Sequence, residues 1–445
     1  MLAEVDSRYA WFRLAVTLVL MTIGGCGMYV VVVVLPAVQA EFGIARGQAS
    51  LPYTMTMIGF GIGGVLMGRL SDRHGIVLPL RIGAVTLALG FAAAAISPNL
   101  LTFTLAQGLL IGLFGSGAMF SPLITETSFW FLRRRGIAVA ICASGNYLAG
   151  TVWPPIVQHF VDSSGWRATY VGIGLFCLAT MLPLAQLMRR PRPGATSLSV
   201  DGPAPAATAT AVPATTAASG ATAASAASAA SAATAASTAA ALADSERPLG
   251  LSPAGLQSLL CIAGVACCVA MSMPQVHIVA YCADLGYGPA RGAQMLSLML
   301  GFGIVSRLVS GMICDRIGGL RTLLLGSIMQ GIALLLFLPF DSLASLYVIS
   351  ALFGLFQGGI VPSYAIIVRE HFSPAQAGER IGAVITATLL GMALGGWLSG
   401  FIFDLTGSYD AAFVNGIAWN LLNVVIVVWL LHRAHRSGGL RPAFA

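Results

Sequence analysis

Residues 297–319 read SLMLGFGIVSRLVSGMICDRIGG. The run starts apolar and glycine-rich, holds one arginine, Arg307, in its interior, and ends in Gly311-Met-Ile-Cys-Asp315-Arg316-Ile-Gly318. An arginine at the centre of a hydrocarbon layer costs about 2.5–3.5 kcal/mol even on insertion-based scales, so its presence calls for a reason. The closing motif has a twin 243 residues upstream, Gly68-Arg-Leu-Ser-Asp72-Arg73-His-Gly75. A buried charge and a repeat therefore frame the reading of the whole chain.

The 445 residues are 57% hydrophobic and 9% charged, with a mean hydropathy of +0.86. Soluble domains carry about 25% charged residues, so this is the composition of an integral membrane protein whose first partner is the lipid bilayer. The net charge of +7 comes from arginines set between apolar runs, not gathered on one basic face, which argues against nucleic-acid binding. Eight cysteines lie within or beside apolar runs, with no C-x-x-C pair and no histidine cluster. They read as small buried hydrophobes, and neither a metal nor another cofactor is expected. G-x-S-x-G, H-E-x-x-H and a phosphate-binding glycine loop ending in lysine are all missing, so no enzyme is expected either.

A membrane-crossing helix needs about 20 apolar residues. That window predicts spans near 13–35, 50–70, 77–96, 101–125, 136–158 and 168–188. After a break it predicts 254–281, 291–313, 320–339, 344–368, 381–403 and 411–431. Twelve spans put both termini on one face, and arginine placement says which. One set of loops holds Arg69, Arg73, Arg81, Arg133 to Arg135, Arg189, Arg190, Arg192, Arg316, Arg321, Arg369 and Arg380; the other holds only Arg46, Arg167 and Arg291. The first set is expected to be cytoplasmic, with both termini inside a bacterial inner membrane.

The break, residues 193–247, is nearly all Ala, Ser and Thr with early prolines. It lacks the large apolar residues that bury a core and is expected to be a disordered cytoplasmic linker. It separates residues 1–192 from 248–445, six spans each. The fold expected is an all-α membrane protein: twelve transmembrane helices in two pseudo-symmetric six-helix bundles, the parallel repeat that rocks to give alternating access.

With this repeat, and with G-x-x-x-D-R-x-G in the loops after spans 2 and 8, the chain resembles the major facilitator superfamily over everything but the linker and tails. It is similar in finer detail to the monocarboxylate porters and their bacterial oxalate–formate relatives. That likeness rests on the span-5 run from Arg135 through Gly145, Gly150, Pro154 and Pro155, on the span-8 arginine, and on Gly395 to Asp404 in span 11. The chain also departs from them. The monocarboxylate porters have an acid four residues before the span-8 arginine, where this chain has Gly303, and a lysine in span 1, where it has no basic residue between Arg13 and Arg46. The oxalate exchangers have a span-11 lysine where Thr388 stands here. One deep cation suits a monoanion better than a dianion.

Arg307 is the leading candidate for the substrate site. It lies 16 residues from Arg291 and eight from Asp315, about 24 Å and 12 Å along a helix, too deep to be an end-of-helix charge alone. Its counterpart in the first half is Gly64, so the charge is no part of the common scaffold. A planar guanidinium matches a carboxylate with two parallel hydrogen bonds. The alternative is a structural ion pair, for which its own helix offers no nearby acid. His277, the histidine inside span 7, could carry a coupled proton or simply bridge helices. Tyr29, Asn146 and Tyr364 are further pocket candidates, because the resemblance implies that spans 1, 4, 7 and 10 line the cavity with spans 2, 5, 8 and 11 beside them.

The loop charges read as gate, not substrate site. The resemblance implies that they tie the halves together on the cytoplasmic face. By pseudo-symmetry Asp72 should meet Arg380 and Asp315 the arginines up to Arg135, with Gly68, Arg73, Gly75, Gly311, Arg316 and Gly318 completing the motifs. Glu126 should join the first cluster; its alternative role is a proton site. The function expected is secondary active transport of a small organic monocarboxylate, proton-coupled or by anion exchange, from a monomeric unit. The alternative is efflux of amphipathic compounds by the same fold.

Overall fold

The computed structural model describes residues 5–190 and 248–436. The linker proposed at 193–247 lies outside the described residues. Among those described, twelve helices are long and apolar enough to cross a membrane. The first six are spans 1 (Arg8–Phe42), 2 (Arg46–His74), 3 (Val77–Ala95), 4 (Leu100–Trp130), 5 (Gly136–Ser164) and 6 (Trp166–Leu187). The second six are spans 7 (Pro253–Asp284), 8 (Pro289–Ile317), 9 (Gly319–Leu336), 10 (Leu343–His371), 11 (Gln376–Thr406) and 12 (Asp410–Arg436). Most outrun the 20-residue window, because the backbone keeps its internal hydrogen bonds where the chain leaves hydrocarbon for headgroups.

Side chains set where helices begin. Ser252 and Ser342 each accept the N–H three residues on, at the heads of spans 7 and 10. The repeated loop motif closes on Gly75 and Gly318, with φ of 78° and 82°. Their ψ values of 168° and 165° complete a conformation open essentially to glycine alone, which explains the last residue of each motif copy.

Spans 4 and 10 are broken at corresponding depths. Span 4 runs through a wide π-helical stretch, Ala106–Ser116, and restarts at Ser121, while span 10 breaks at Gly358 and Gly359. The halves are also built alike at their closest helix approach. A Cβ on Gly63 of span 2 would lie 1.8 Å from the Leu113 carbonyl oxygen of span 4. One on Gly354 of span 10 would lie 1.9 Å from the Met299 carbonyl oxygen of span 8. The same pair of spans touches backbone to backbone in each bundle, and only glycine allows it.

Polar side chains inside the bundles pair with one another. Gln107 Nε2 donates to Tyr170 Oη at 2.7 Å, Tyr364 Oη to Asn423 Oδ1 at 3.0 Å, and Asn423 Nδ2 to Ser327 Oγ at 2.7 Å. At the end of the first bundle that carries the motif loops, Arg13 Nη2 donates to Glu126 Oε1 at 2.6 Å, both residues buried. Trp130 adds its indole N–H to the same oxygen at 3.1 Å and lies under the guanidinium at 4.5 Å.

Candidate functional site

Between the bundles lies a cavity of about 710 Å³. Its mouth is on the motif face, where Gly68, Arg69 and Asp72 of span 2 face Gly378 and Gly382 of span 11. Its floor is made by Tyr29, Tyr53, Gln275 and Leu300. Arg307 reaches the cavity from span 8, and Asn146 and Tyr147 reach it from span 5. The remaining wall is largely apolar, with Met28, Met57, Met271 and Met392 among its residues. Unbranched thioethers of this kind adapt to ligands of varied outline.

Arg307 is held from the opposite bundle. Its Nη1 donates to the Ala143 carbonyl at 3.1 Å, and its Cζ lies 4.3 Å from the Tyr147 ring centroid. Its Nε is buried without a hydrogen-bond partner, and no carboxylate among the described residues forms an ion pair with it. Tyr29 and Asn146 line the same cavity.

Two of the pocket candidates are elsewhere. Tyr364 is fully buried in the core of the second bundle, bonded to Asn423 of span 12, while its neighbours Val361, Pro362 and Ala365 line the cavity. His277 is fully buried behind the floor. Its Nε2 lies 2.8 Å from the Gly396 carbonyl of span 11 and its Nδ1 3.3 Å from Tyr409 Oη. Each helical residue turns about 100° from the last, and packing rotated these two away.

The gate charges also differ from expectation. Glu126 is tied to Arg13 of span 1. Arg380 donates to Gln376 Oε1 and to the Pro253 carbonyl within its own bundle, and lies over Phe372. Among the described residues it forms no ion pair with Asp72; the cavity mouth stands between span 2 and span 11. Asp315 and Arg316 are exposed, and the Arg133 N–H goes to Asp6 at 3.0 Å, holding that carboxyl below its usual range. The Arg135 side chain lies outside the described residues.

The face opposite the motifs is closed, by residues the sequence reading did not single out. Arg46, at the head of span 2, forms a two-pronged pair with Asp284 at 2.9 and 3.2 Å and also bonds Tyr409. Asp404, near the end of span 11, accepts the N–H groups of Arg46 and Gly47, each at 2.7 Å. The first turn of a first-bundle helix is thus capped by a second-bundle carboxylate, where the helix dipole favours negative charge. Thr54 Oγ1 donates to the Ala393 carbonyl at 3.0 Å, and Ser297 donates to Thr151, closing the same level. A signal was available: Ala45-Arg46-Gly47 recurs as Ala290-Arg291-Gly292. Among the described residues the second copy makes no such bridge: Arg291 bonds Gln294 in its own helix and Gln158 bonds Asp162.

Twelve spans in two like bundles around a cavity open at one face and shut at the other define a multi-pass membrane transporter, not an enzyme. The family model of the Major Facilitator Superfamily matches residues 17–276 and 258–444, and the chain belongs to that superfamily. Monocarboxylate transporter 13 of Rattus norvegicus is 24% identical over 394 residues, 86% of this chain and 79% of the relative. The Agnestins efflux protein AgnL12 of Paecilomyces divaricatus is 20% identical over 82% of this chain and 73% of its own length. Among solved structures, a bacterial homologue of the human lysosomal transporter Spinster, inward-facing and occupied, shares the fold with a TM-score of 0.63. It is 13% identical over 97% of each chain. The peptide transporter POT shares it with a TM-score of 0.65, at 16% identity over 96% of this chain and 94% of that one.

Proposed function

We propose that the protein carries an organic monocarboxylate across a bacterial inner membrane by alternating access, with Arg307 as the carboxylate anchor. The observation that carries this reading is a guanidinium at a dead-ended cavity with one nitrogen unpartnered and, among the described residues, no acid paired to it. The likeness to proteins named monocarboxylate transporters supports the same substrate class. The arginine bias makes the motif face cytoplasmic, so the cavity here opens inward. Transport by anion exchange fits better than proton coupling through His277, which is fully buried, bonded to Gly396 and Tyr409, and does not line the cavity.

The test is thermal stabilisation of the purified protein by a panel of monocarboxylates against their neutral amides, followed by counterflow in vesicles. Stabilisation and counterflow with the acids and not the amides are expected. Equal response to acid and amide would overturn the reading. The adaptable methionine wall and the likeness to an efflux protein favour a second reading, export of amphipathic compounds. That reading predicts stabilisation by the amides as well.

The Asp404 latch is proposed as the outer gate. Asp404→Ala removes two charge-assisted bonds worth about 1.5–3 kcal/mol each, enough to shift a two-state population more than tenfold toward the outward-open form. A cysteine introduced at Thr54 in a cysteine-free background should then react faster with an impermeant maleimide added from outside. An unchanged labelling rate would remove Asp404 from the gate.

A further inference from the structure

We propose that Tyr147 is the positioning residue for Arg307, and that position 303 is glycine because the tyrosine ring occupies its side-chain space; the proposal rests on the reading of Arg307 as carboxylate anchor. Gly303 and Arg307 are one helical turn apart on span 8, so their side chains share a face. Tyr147 comes to that face from span 5 of the other bundle. A Cβ built on Gly303 would lie 2.4 Å from Tyr147 Cε1 and 2.6 Å from its Cδ1, closer than real atoms approach. The ring therefore lies flush on the span-8 backbone, and from there it underlies the guanidinium at 4.3 Å.

Three sides of the guanidinium can now be assigned. Its face rests on the Tyr147 ring, and its Nη1 edge is fixed by the Ala143 carbonyl, one turn before Tyr147. The remaining edge, with Nε and Nη2, makes no hydrogen bond among the described residues. That edge carries two parallel N–H donors, the geometry a planar carboxylate matches. Both supports are neutral, so orientation is achieved without cancelling the charge, and the substrate anion becomes the counter-charge. A ring does this where a carboxylate at 303 would compete with the substrate for the fork.

The experiment measures dissociation constants by thermal shift for formate, acetate, lactate, pyruvate and benzoate, taking the tightest binder forward. It compares wild type, Tyr147→Phe, Tyr147→Leu, Gly303→Ala, the Gly303→Ala/Tyr147→Leu double variant and Arg307→Ala. Loss of the cation–π support is expected to weaken binding about tenfold in Tyr147→Leu, with Tyr147→Phe within about twofold of wild type. Gly303→Ala should weaken binding by displacing the ring, and should add nothing in the Tyr147→Leu background, the non-additivity expected if the alanine acts only through the ring. In vesicles the defect should appear in KM with the maximal rate retained. Wild-type affinity in Tyr147→Leu, equal damage in Tyr147→Phe, or additive effects in the double variant would overturn the proposal. If no acid binds wild type, or Arg307→Ala binds as wild type does, the anchor reading itself falls.

Discussion

Replacing Arg307 with alanine is expected to abolish saturable uptake of the carboxylate while leaving the protein folded and inserted. The side chain makes one backbone hydrogen bond and one ring contact, both across the cavity boundary, so its loss exposes no buried partner charge. The Ala143 carbonyl it leaves sits beside the cavity, where water can satisfy it. The carboxylate, by contrast, would lose two charge-assisted bonds of about 1.5–3 kcal/mol each, two to four decades of affinity. Arg307→Lys should recover only part, because an ammonium is a point charge without the planar fork. Proteoliposome uptake against substrate concentration, with size-exclusion profiles as the folding control, reads this out. Parental uptake in the alanine variant would end the assignment of Arg307 to the substrate.

The second large effect is on stability, at Glu126. Glu126→Ala strands the Arg13 guanidinium in a site where both residues are almost wholly buried. Removing one partner of a buried pair typically costs about 3–5 kcal/mol, because the remaining charge keeps its desolvation penalty. Glu126→Gln should lose less, since an amide oxygen still accepts from Trp130 and from Arg13. The double variant Arg13→Met/Glu126→Leu should recover most of the loss, as apolar replacements of buried pairs are often neutral or stabilising. Thermal unfolding of the purified variants compares the three. A Glu126→Ala protein as stable as wild type would mean that Arg13 finds water or another acceptor.

The unevenness of what could be read in advance has a physical cause. Hydrocarbon admits only backbones whose hydrogen bonds are closed, and a helix closes them within one segment, so long apolar runs report span number directly. The loop motif was legible because Gly75 and Gly318 sit at φ values that other residues avoid, which ties a conformation to a letter. Arg307 stood out because a charge in an apolar run is expensive wherever it points. His277 stood out as a titratable side chain inside a span and Tyr364 as a polar one in a span the resemblance makes cavity-lining, and both proved to lie off the cavity, bonded to Tyr409 and Asn423. A polar residue in a span signals a need for a partner without saying which helix supplies it. Tyr147 was less visible than Asn146 beside it, since its meaning depends on a missing side chain at Gly303, 156 positions along the chain.

The amino-acid sequence by itself determined the membrane environment, the twelve spans, their arrangement as a repeat and the single deep cation, because hydropathy, backbone closure and charge burial act locally along the chain. Only the tertiary structure decided which faces of those helices meet. It turned His277 and Tyr364 away from the cavity, bound Glu126 to Arg13, capped span 2 with Asp404, and brought the Tyr147 ring onto Gly303 beneath Arg307. A rotation of some 100° per residue separates lining from core, and packing between the two bundles sets that rotation.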